Sequence, residues 1–152
     1  MNRRDFIKLA GAVGATSLAG CATPGASKAK VVVIGGGYGG ATAAKYLRMW
    51  DPDIDVVMVE RNDAFTSCPM SNLVLGGSRS MQEIRRTYDG LRRRGVRLVH
   101  DEASAVDVAK KVVRLQRGGD LPFDRLIVSP GIDFNFGEIE GYQAAQDRIL
   151  HA

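Results

Sequence analysis

A glycine-rich loop, flanked by an apolar run and an alanine-rich segment, constrains the fold of this chain more than any other feature. Residues 30–34 read Lys-Val-Val-Val-Ile, the pattern of a strand buried on both faces. The loop at 35–40 leads into residues 41–50, which are rich in alanine and predict a helix. Residues 54–59 predict a second strand, which Glu60 follows. This order predicts a Rossmann-like β-α-β unit.

The glycines of the loop have a spacing that carries a physical meaning. Gly35, Gly37 and Gly40 form the pattern G-x-G-x-x-G. The first permits a tight turn, the second lets the backbone approach a pyrophosphate, and the third lets helix and strand pack closely. The helix N-terminus then favours phosphate, while Glu60 can accept hydrogen bonds from ribose hydroxyls and repels a 2′-phosphate. Ala41-Thr42 after the loop excludes a nucleoside triphosphatase motif, so the pattern predicts an FAD or NAD site.

The rest of the chain predicts one more helix and several short strands. Met81, Ile84, Tyr88 and Leu91 recur at helical spacing and predict one face of a helix. Residues 117–120, Arg-Gly-Gly-Asp, suit a hairpin turn. Strands are predicted at 96–99, 102–107, 111–116, 121–123 and 124–128.

This order of elements resembles the FAD domain of the two-dinucleotide-binding disulfide reductase superfamily. In that domain a three-stranded antiparallel insertion precedes the final parallel strand, which ends near the flavin in a motif of small residues and glycine. Ser129-Pro130-Gly131 occupies that place. The expected fold is therefore α/β, a Rossmann-like FAD-binding domain with a parallel sheet and a three-stranded antiparallel insertion. Residues 29–152 would form its N-terminal part, leaving the domain incomplete.

Several segments are similar to the flavin subunit of flavocytochrome c sulfide dehydrogenase. In that family a cysteine at the place of Cys68 forms a thioether to the flavin ring, and a thiolate beside an electron-poor ring is suited to that bond. Pro69 and Met70 depart from the aromatic–leucine pair of known members. A buried or non-catalytic cysteine is the alternative. The similar segments are 39–47, 65–72, 88–91, 99–101, 130–132 and 139–142.

The resemblance implies FAD as cofactor, a small sulfur substrate, a c-type cytochrome partner and periplasmic sulfide oxidation. Members also use a redox-active disulfide, a second nucleotide-binding domain and a C-terminal domain, so this fragment alone is expected to be inactive and no catalytic residue is assigned. The alternatives are a sulfide:quinone or NADH:quinone reductase, and a truncated non-catalytic nucleotide-binding module. The candidate cofactor-binding residues are Gly35, Gly37, Tyr38, Gly40, Glu60, Arg61, Cys68, Ala103, Pro130 and Gly131.

The N-terminal residues predict an export signal. Arg3-Arg4 precedes an uncharged stretch, 9–27, which is typical of a twin-arginine signal, so residues 1–28 are assigned to signal and linker and the protein to the periplasm. Leu18-Ala19-Gly20-Cys21 resembles a lipobox and makes Cys21 a candidate lipid anchor, with a chance match as the alternative. The formal net charge of +4 is too weak to indicate nucleic acid binding. Two cysteines and two histidines without paired spacing predict no metal site.

Overall fold

A four-stranded parallel sheet forms the centre of the protein. The computed structural model describes residues 27–132, 135–145 and 148, so most of the predicted signal, including Cys21, lies outside the described residues. The strand order is β5-β2-β1-β9, and all three neighbouring pairs are parallel. This confirms the predicted α/β class. The strands are β1 (Ala29–Ile34), β2 (Ile54–Val59), β5 (Arg97–Val99) and β9 (Arg125–Val128).

Each face of this sheet packs against a different layer, which explains why β1 and β2 are continuous apolar runs. On one face, Val33 and Met58 pack in a cluster with Ala44 of helix α1 (Tyr38–Trp50). On the other face, Val32 and Val57 pack with Val113 of an antiparallel sheet. All six side chains are fully buried. A strand with no solvent face has no polar positions to alternate, so its sequence reads as an apolar run.

The antiparallel sheet is the predicted three-stranded insertion. Its strand order is β6-β7-β8, and the hairpin between the last two closes where the N–H of Leu115 donates to the carbonyl of Gly119 at 2.9 Å. Gly119 has a φ of +82°, which an L side chain rarely adopts. The predicted turn at 117–120 is therefore confirmed. The strands are β6 (Ala103–Asp107), β7 (Val112–Leu115) and β8 (Asp120–Pro122).

The helix predicted from Met81 to Leu91 is wrong. Two single-turn helices, α3 (Met81–Ile84) and α4 (Asp89–Arg92), flank a short strand, β4 (Arg85–Thr87). β4 pairs antiparallel with β3 (Ala64–Thr66), which comes more than twenty residues earlier in the chain. The pairing supplies backbone hydrogen bonds that a continuous helix would have made locally. The helical spacing of apolar residues still indicates which side chains are buried, because Ile84, Tyr88 and Leu91 are all buried.

Six arginines lie on β4, α4, the following turn and β5. All six are exposed and form a solvated face. Arg85 pairs with Asp63 at 2.6 Å, and Arg97 pairs with Asp55 at 2.9 Å. Because these pairs are exposed and screened by solvent, they contribute little to stability. The six are Arg85, Arg86, Arg92, Arg93, Arg94 and Arg97.

The remaining elements are short. They are a 3₁₀ turn (Cys68–Met70), α2 (Ser71–Leu75), a second 3₁₀ turn (Phe136–Glu138) and α5 (Tyr142–Ala145). In the part of the chain that the structure describes, no helix combines the length and apolar character needed to span a membrane. The same described residues contain no group of three or more His, Cys, Asp or Glu side chains placed to hold a metal ion.

Candidate functional site

The carboxyl ends of the parallel strands meet at one edge of the sheet, where backbone hydrogen bonds join the segments that follow them. The N–H of Gly35 donates to the carbonyl of Val59 at 2.9 Å, and that of Ser129 donates to the carbonyl of Ile34 at 2.8 Å. The three segments that leave β1, β2 and β9 are therefore fixed relative to one another. In open α/β sheets this edge is where ligands bind.

A cleft of about 930 Å³ opens at this edge. Its volume falls within the range of pockets that hold small molecules and cofactors. The structure brings nine of the ten predicted site residues to its wall, and Gly40 is the exception. The nine are Gly35, Gly37, Tyr38, Glu60, Arg61, Cys68, Ala103, Pro130 and Gly131.

Two glycines of the loop are required by the packing of the chain itself. A Cβ on Gly40 would overlap the carbonyl oxygen of Gly35, so α1 can approach β1 only with a glycine there. Gly35 has a φ of +95°, and a Cβ there would overlap the carbonyl oxygen of Ser129. α1 begins at Tyr38, three residues before the predicted start. The prediction started later because Gly39 and Gly40 are weak helix formers.

Gly37 differs from them, because no described residue lies close enough to require a glycine there. The nearest atom to a Cβ there would be Cε2 of Phe65, at 3.9 Å, and its φ is −67°. Its free side faces the cleft, directly before the N-terminus of α1. Among the described residues, the backbone N–H groups of Tyr38, Gly39 and Gly40 have no acceptor. An open backbone at a thirteen-residue helix with free donors fits a pyrophosphate.

The carboxylate of Glu60 is held in place at the end of β2. One of its oxygens accepts a hydrogen bond from the N–H of Gly36 at 2.7 Å, and the other accepts one from the N–H of Asn62 at 2.8 Å. A carboxylate has about four acceptor positions, so two remain for a ligand. The geometry is suitable for binding ribose hydroxyls, as the sequence predicted.

Cys68 lies at the cleft on a rigidly packed segment. The preceding residue, Ser67, is buried, and its hydroxyl hydrogen bonds to the hydroxyl of Tyr38 at 2.6 Å. The ring of Tyr38 also contacts Phe65 edge-on, with 4.8 Å between the ring centroids. The hydroxyl of Ser71 donates to the carbonyl of Cys68 at 2.7 Å. The thiol is exposed and unpaired, which contradicts the alternative of a buried cysteine.

The other predicted residues line separate parts of the cleft. Arg61 follows Glu60 on the exit of β2, and Ala103 begins β6 on the opposite wall. Pro130 and Gly131 continue from β9, and Gly131 has a φ of +83° with nothing close to its α-carbon. This conformation is one that glycine adopts at no steric cost.

Tyr88 is a cleft residue that the sequence reasoning treated only as core. Its side chain is 6% exposed and lines the cleft. Burial raises the pKa of Tyr88 to about 12, and the negative charges of Glu60 and Asp63 act in the same direction. The phenol therefore keeps its proton at physiological pH. Helical spacing gave no signal of this role, because an aromatic residue in a periodic run is usually interior.

Asp101 is a second such residue, with only 4% of its surface exposed. It accepts hydrogen bonds from the backbone N–H of Glu102 at 2.7 Å and from that of Arg117 at 3.1 Å. Burial acts to raise the pKa of Asp101, but these hydrogen bonds and the Arg117 guanidinium outweigh it and lower that pKa. Through these hydrogen bonds the carboxylate connects the loop before β8 to the residues that follow β5.

This lowered pKa predicts a loss of stability in acid. A carboxyl whose folded pKa lies below its unfolded value of about 3.9 stabilises the fold above that value and loses the contribution as pH falls through the folded pKa. We expect Asp101→Asn to lower the thermal midpoint at neutral pH and to reduce its fall below about pH 4. Asp120→Asn, at an exposed position at the start of β8, is the control. Parallel curves for wild type and Asp101→Asn would contradict the prediction.

Residues 29–151 match the family described as pyridine nucleotide-disulphide oxidoreductase. The chain belongs to this family. Residues 1–20 match the twin-arginine translocation signal sequence, which supports export by that route to the periplasm. The resemblance seen in the sequence and the expected fold are both confirmed.

Comparisons with individual proteins show which members of this family the chain is similar to. The chain is 60% identical over 45 residues to the sulfide dehydrogenase [flavocytochrome c] flavoprotein chain of Chlorobaculum thiosulfatiphilum, a match that covers 30% of this chain and 94% of that sequence. It is 28% identical over 123 residues to the sulfide-quinone reductase of Aquifex aeolicus, covering 80% of this chain and 28% of the relative. The X-ray structure of the Aquifex aeolicus sulfide:quinone oxidoreductase superposes with a TM-score of 0.69 and 28% identity, over 75% of this chain and 27% of that one.

These relatives make the chain a flavoprotein oxidoreductase of the sulfide dehydrogenase and sulfide:quinone reductase group, and they imply FAD as the cofactor. The chain spans about a quarter of the length of the longer relatives it matches. The open backbone at Gly37 and the ordered carboxylate of Glu60 fit this cofactor.

Proposed function

We propose that this chain is the FAD-binding portion of a periplasmic flavoprotein that oxidises sulfide and passes the electrons to a c-type cytochrome. The observation that carries the proposal is the 60% identity to the flavoprotein chain of a flavocytochrome c sulfide dehydrogenase. The twin-arginine signal supports it, because that route exports proteins already folded and would deliver the protein with its cofactor bound.

The residues of the cleft have separate tasks in this proposal. The backbone at Gly37 and the free N–H groups at the start of α1 bind the pyrophosphate, favoured by the positive end of the helix dipole. Glu60 binds the ribose, and Pro130 and Gly131 line the approach to the flavin. Bound FAD supplies a two-electron acceptor that can release its electrons singly.

Cys68 holds the flavin covalently in this proposal. Its thiol is exposed at the cleft wall, and the preceding Ser67 is fixed by its contact with Tyr38. Formation of the thioether would release one proton from the Cys68 thiol and one from the ring system, and the two remaining electrons would reduce the flavin itself. The 3₁₀ turn that starts at Cys68 accommodates Pro69, because proline is tolerated at the first positions of a helix.

We expect the full natural protein, denatured in acid and digested, to carry an adduct of FAD mass on the peptide that contains Cys68. In Cys68→Ala the flavin should be released intact and the adduct should be absent. Met70→Leu, a change in the same turn, is the matched control and should keep the adduct. Mass spectrometry and visible absorbance are the measurements. Flavin released intact from the unsubstituted protein would contradict the tether and leave noncovalent FAD binding.

A sulfide:quinone reductase is the second candidate, favoured by the structural similarity to the Aquifex aeolicus enzyme. The two functions differ in the electron acceptor. Sulfide-dependent reduction of a c-type cytochrome, without reduction of a short-chain quinone, supports the first function, and the reverse supports the second. A protein that binds nucleotide but reduces neither acceptor would support the non-catalytic module.

Lipid attachment at Cys21 would add a membrane anchor to this function. The segment Leu18-Ala19-Gly20-Cys21 supports it by its similarity to a lipobox. Cell fractionation tests it, because a membrane-bound protein should become soluble in the periplasm when Cys21 is replaced by alanine.

A further inference from the structure

The hydroxyl of Tyr88 has no hydrogen-bond partner in the described part of the chain, although the side chain is more than nine-tenths buried. Phenol hydroxyls in such positions usually have a partner, because leaving one unpaired is unfavourable. The described chain contains no fully enclosed side-chain polar atom without a partner, so this oxygen keeps some access to the exterior. Tyr88 lines the cleft, which makes a ligand the natural partner.

The position of the hydroxyl indicates which part of a ligand it would meet. A Cβ on Gly36 would lie 2.5 Å from Oη of Tyr88 and 2.9 Å from Cγ of Glu60. The phenol oxygen and the Glu60 side chain therefore lie against the same side of the glycine loop. The N–H of Gly36 is already used by Glu60, at 2.7 Å, so the loop itself offers Tyr88 no donor.

The two groups are chemically complementary. Glu60 is an acceptor of hydrogen bonds, whereas a protonated phenol is a donor. The surroundings of Tyr88 keep it protonated, because burial and the charges of Glu60 and Asp63 all oppose its ionisation. A ribose hydroxyl is both a donor and an acceptor, so a ribose diol can use both groups at once.

We propose that Tyr88 is a second ribose-binding residue, whose hydroxyl donates to a ribose oxygen of the adenosine half of bound FAD while Glu60 accepts from a ribose hydroxyl. The inference rests on the proposed function, since it takes FAD as the occupant of the cleft. It makes Tyr88 a specificity residue, because a ribose that lacks hydroxyl groups leaves the phenol unsatisfied in a partly buried place.

The test uses the full natural protein in a Cys68→Ser background, so that FAD binds reversibly. The apoprotein is titrated with FAD and with FAD analogues that lack the 2′- or the 3′-hydroxyl of the adenosine ribose, and the quenching of flavin fluorescence gives each Kd. Tyr88→Phe removes only the hydroxyl. Tyr46→Phe, a partly exposed tyrosine on α1 that stacks on Trp50, is the matched control.

We expect Tyr88→Phe to weaken FAD binding by about 5–10-fold, the effect of one net hydrogen bond in a partly buried site. For one of the two analogues the substitution should have almost no further effect, because the contact is already lost. Tyr46→Phe should change neither value. Equal FAD affinity in Tyr88→Phe and the background, with the same preference over both analogues, would overturn the inference.

Two further outcomes separate this inference from the proposed function. A background protein that binds no FAD overturns the proposed function, and the inference with it. A background protein that binds FAD and both analogues equally well keeps the proposed cofactor but overturns the ribose contact. That second comparison needs no substitution at Tyr88, so it can overturn the inference even if Tyr88→Phe fails to fold.

Discussion

Replacing Gly37 with alanine is expected to weaken FAD binding by about 10–100-fold and to leave the stability of the apoprotein nearly unchanged. Among the described residues, the nearest atom to a Cβ at Gly37 would be Cε2 of Phe65, at 3.9 Å, so the fold tolerates it. A bound pyrophosphate lies against that open backbone in our proposal. Forcing an extra carbon into such a contact costs about 1–3 kcal/mol, which corresponds to this loss of affinity. Fluorescence titration of the apoprotein in the Cys68→Ser background, together with its thermal midpoint, measures both effects.

Gly90→Ala is the matched control for this prediction. Gly90 has the same free space around its α-carbon, with the nearest atom, Nη2 of Arg93, at 3.9 Å, but it lies in α4 away from the cleft. Alanine there should leave the affinity for FAD unchanged and can only help the helix, by up to about 1 kcal/mol. Normal FAD affinity in Gly37→Ala would mean that the cofactor does not approach the backbone at this glycine.

The segment from β1 to Glu60 could be predicted from sequence because its determinants are local. The double burial of β1 and β2 leaves an apolar run, and the turn after β1 requires a glycine at its first position. Glu60 follows β2 directly, so strand geometry alone places its carboxylate at the edge of the sheet. The insertion was predicted for the same reason, since β7 and β8 are joined by a short turn with a glycine at positive φ.

The segment from Met81 to Leu91 could not be predicted in this way. Its spacing of apolar residues is helical, yet β4 interrupts it to pair with β3, and nothing near β4 in the sequence announces that distant partner. Burial followed the pattern only partly, because Ile84 is fully buried whereas Met81 is 58% exposed. A pattern of burial is therefore a weaker statement than a pattern of backbone conformation, and long-range strand pairing decides between them.

The candidate site also contains some residues that the sequence could predict and others that it could not. Residues on the strand exits, such as Glu60 and Pro130, were predicted because topology alone brings those exits together. Tyr88 and Asp101 were missed because their roles depend on contacts across the tertiary structure. The hydroxyl of Tyr88 reaches the glycine loop from a segment some fifty residues further along the chain, and Asp101 is held by Arg117.

Replacing Gly40 with alanine is expected to destabilise the fold itself, by about 3 kcal/mol or more. The added carbon would overlap the carbonyl oxygen of Gly35 and lie 3.3 Å from Cγ1 of Val33. Neither group can move aside easily, because Gly35 is fastened to the end of β2 by its N–H and Val33 is fully buried in the sheet. Relief requires α1 to separate from β1, which opens the core that contains Ala44.

A loss of this size is a large part of the 5–15 kcal/mol that stabilises a typical domain. The measurement is the thermal or urea midpoint of the apoprotein, so that cofactor binding does not contribute, with Gly37→Ala as the comparison. Unchanged stability in Gly40→Ala would contradict the close packing of α1 on β1. If both predictions hold, two glycines three residues apart in one motif serve different purposes. Gly40 is required for the chain to fold, and Gly37 is required only when the cofactor binds.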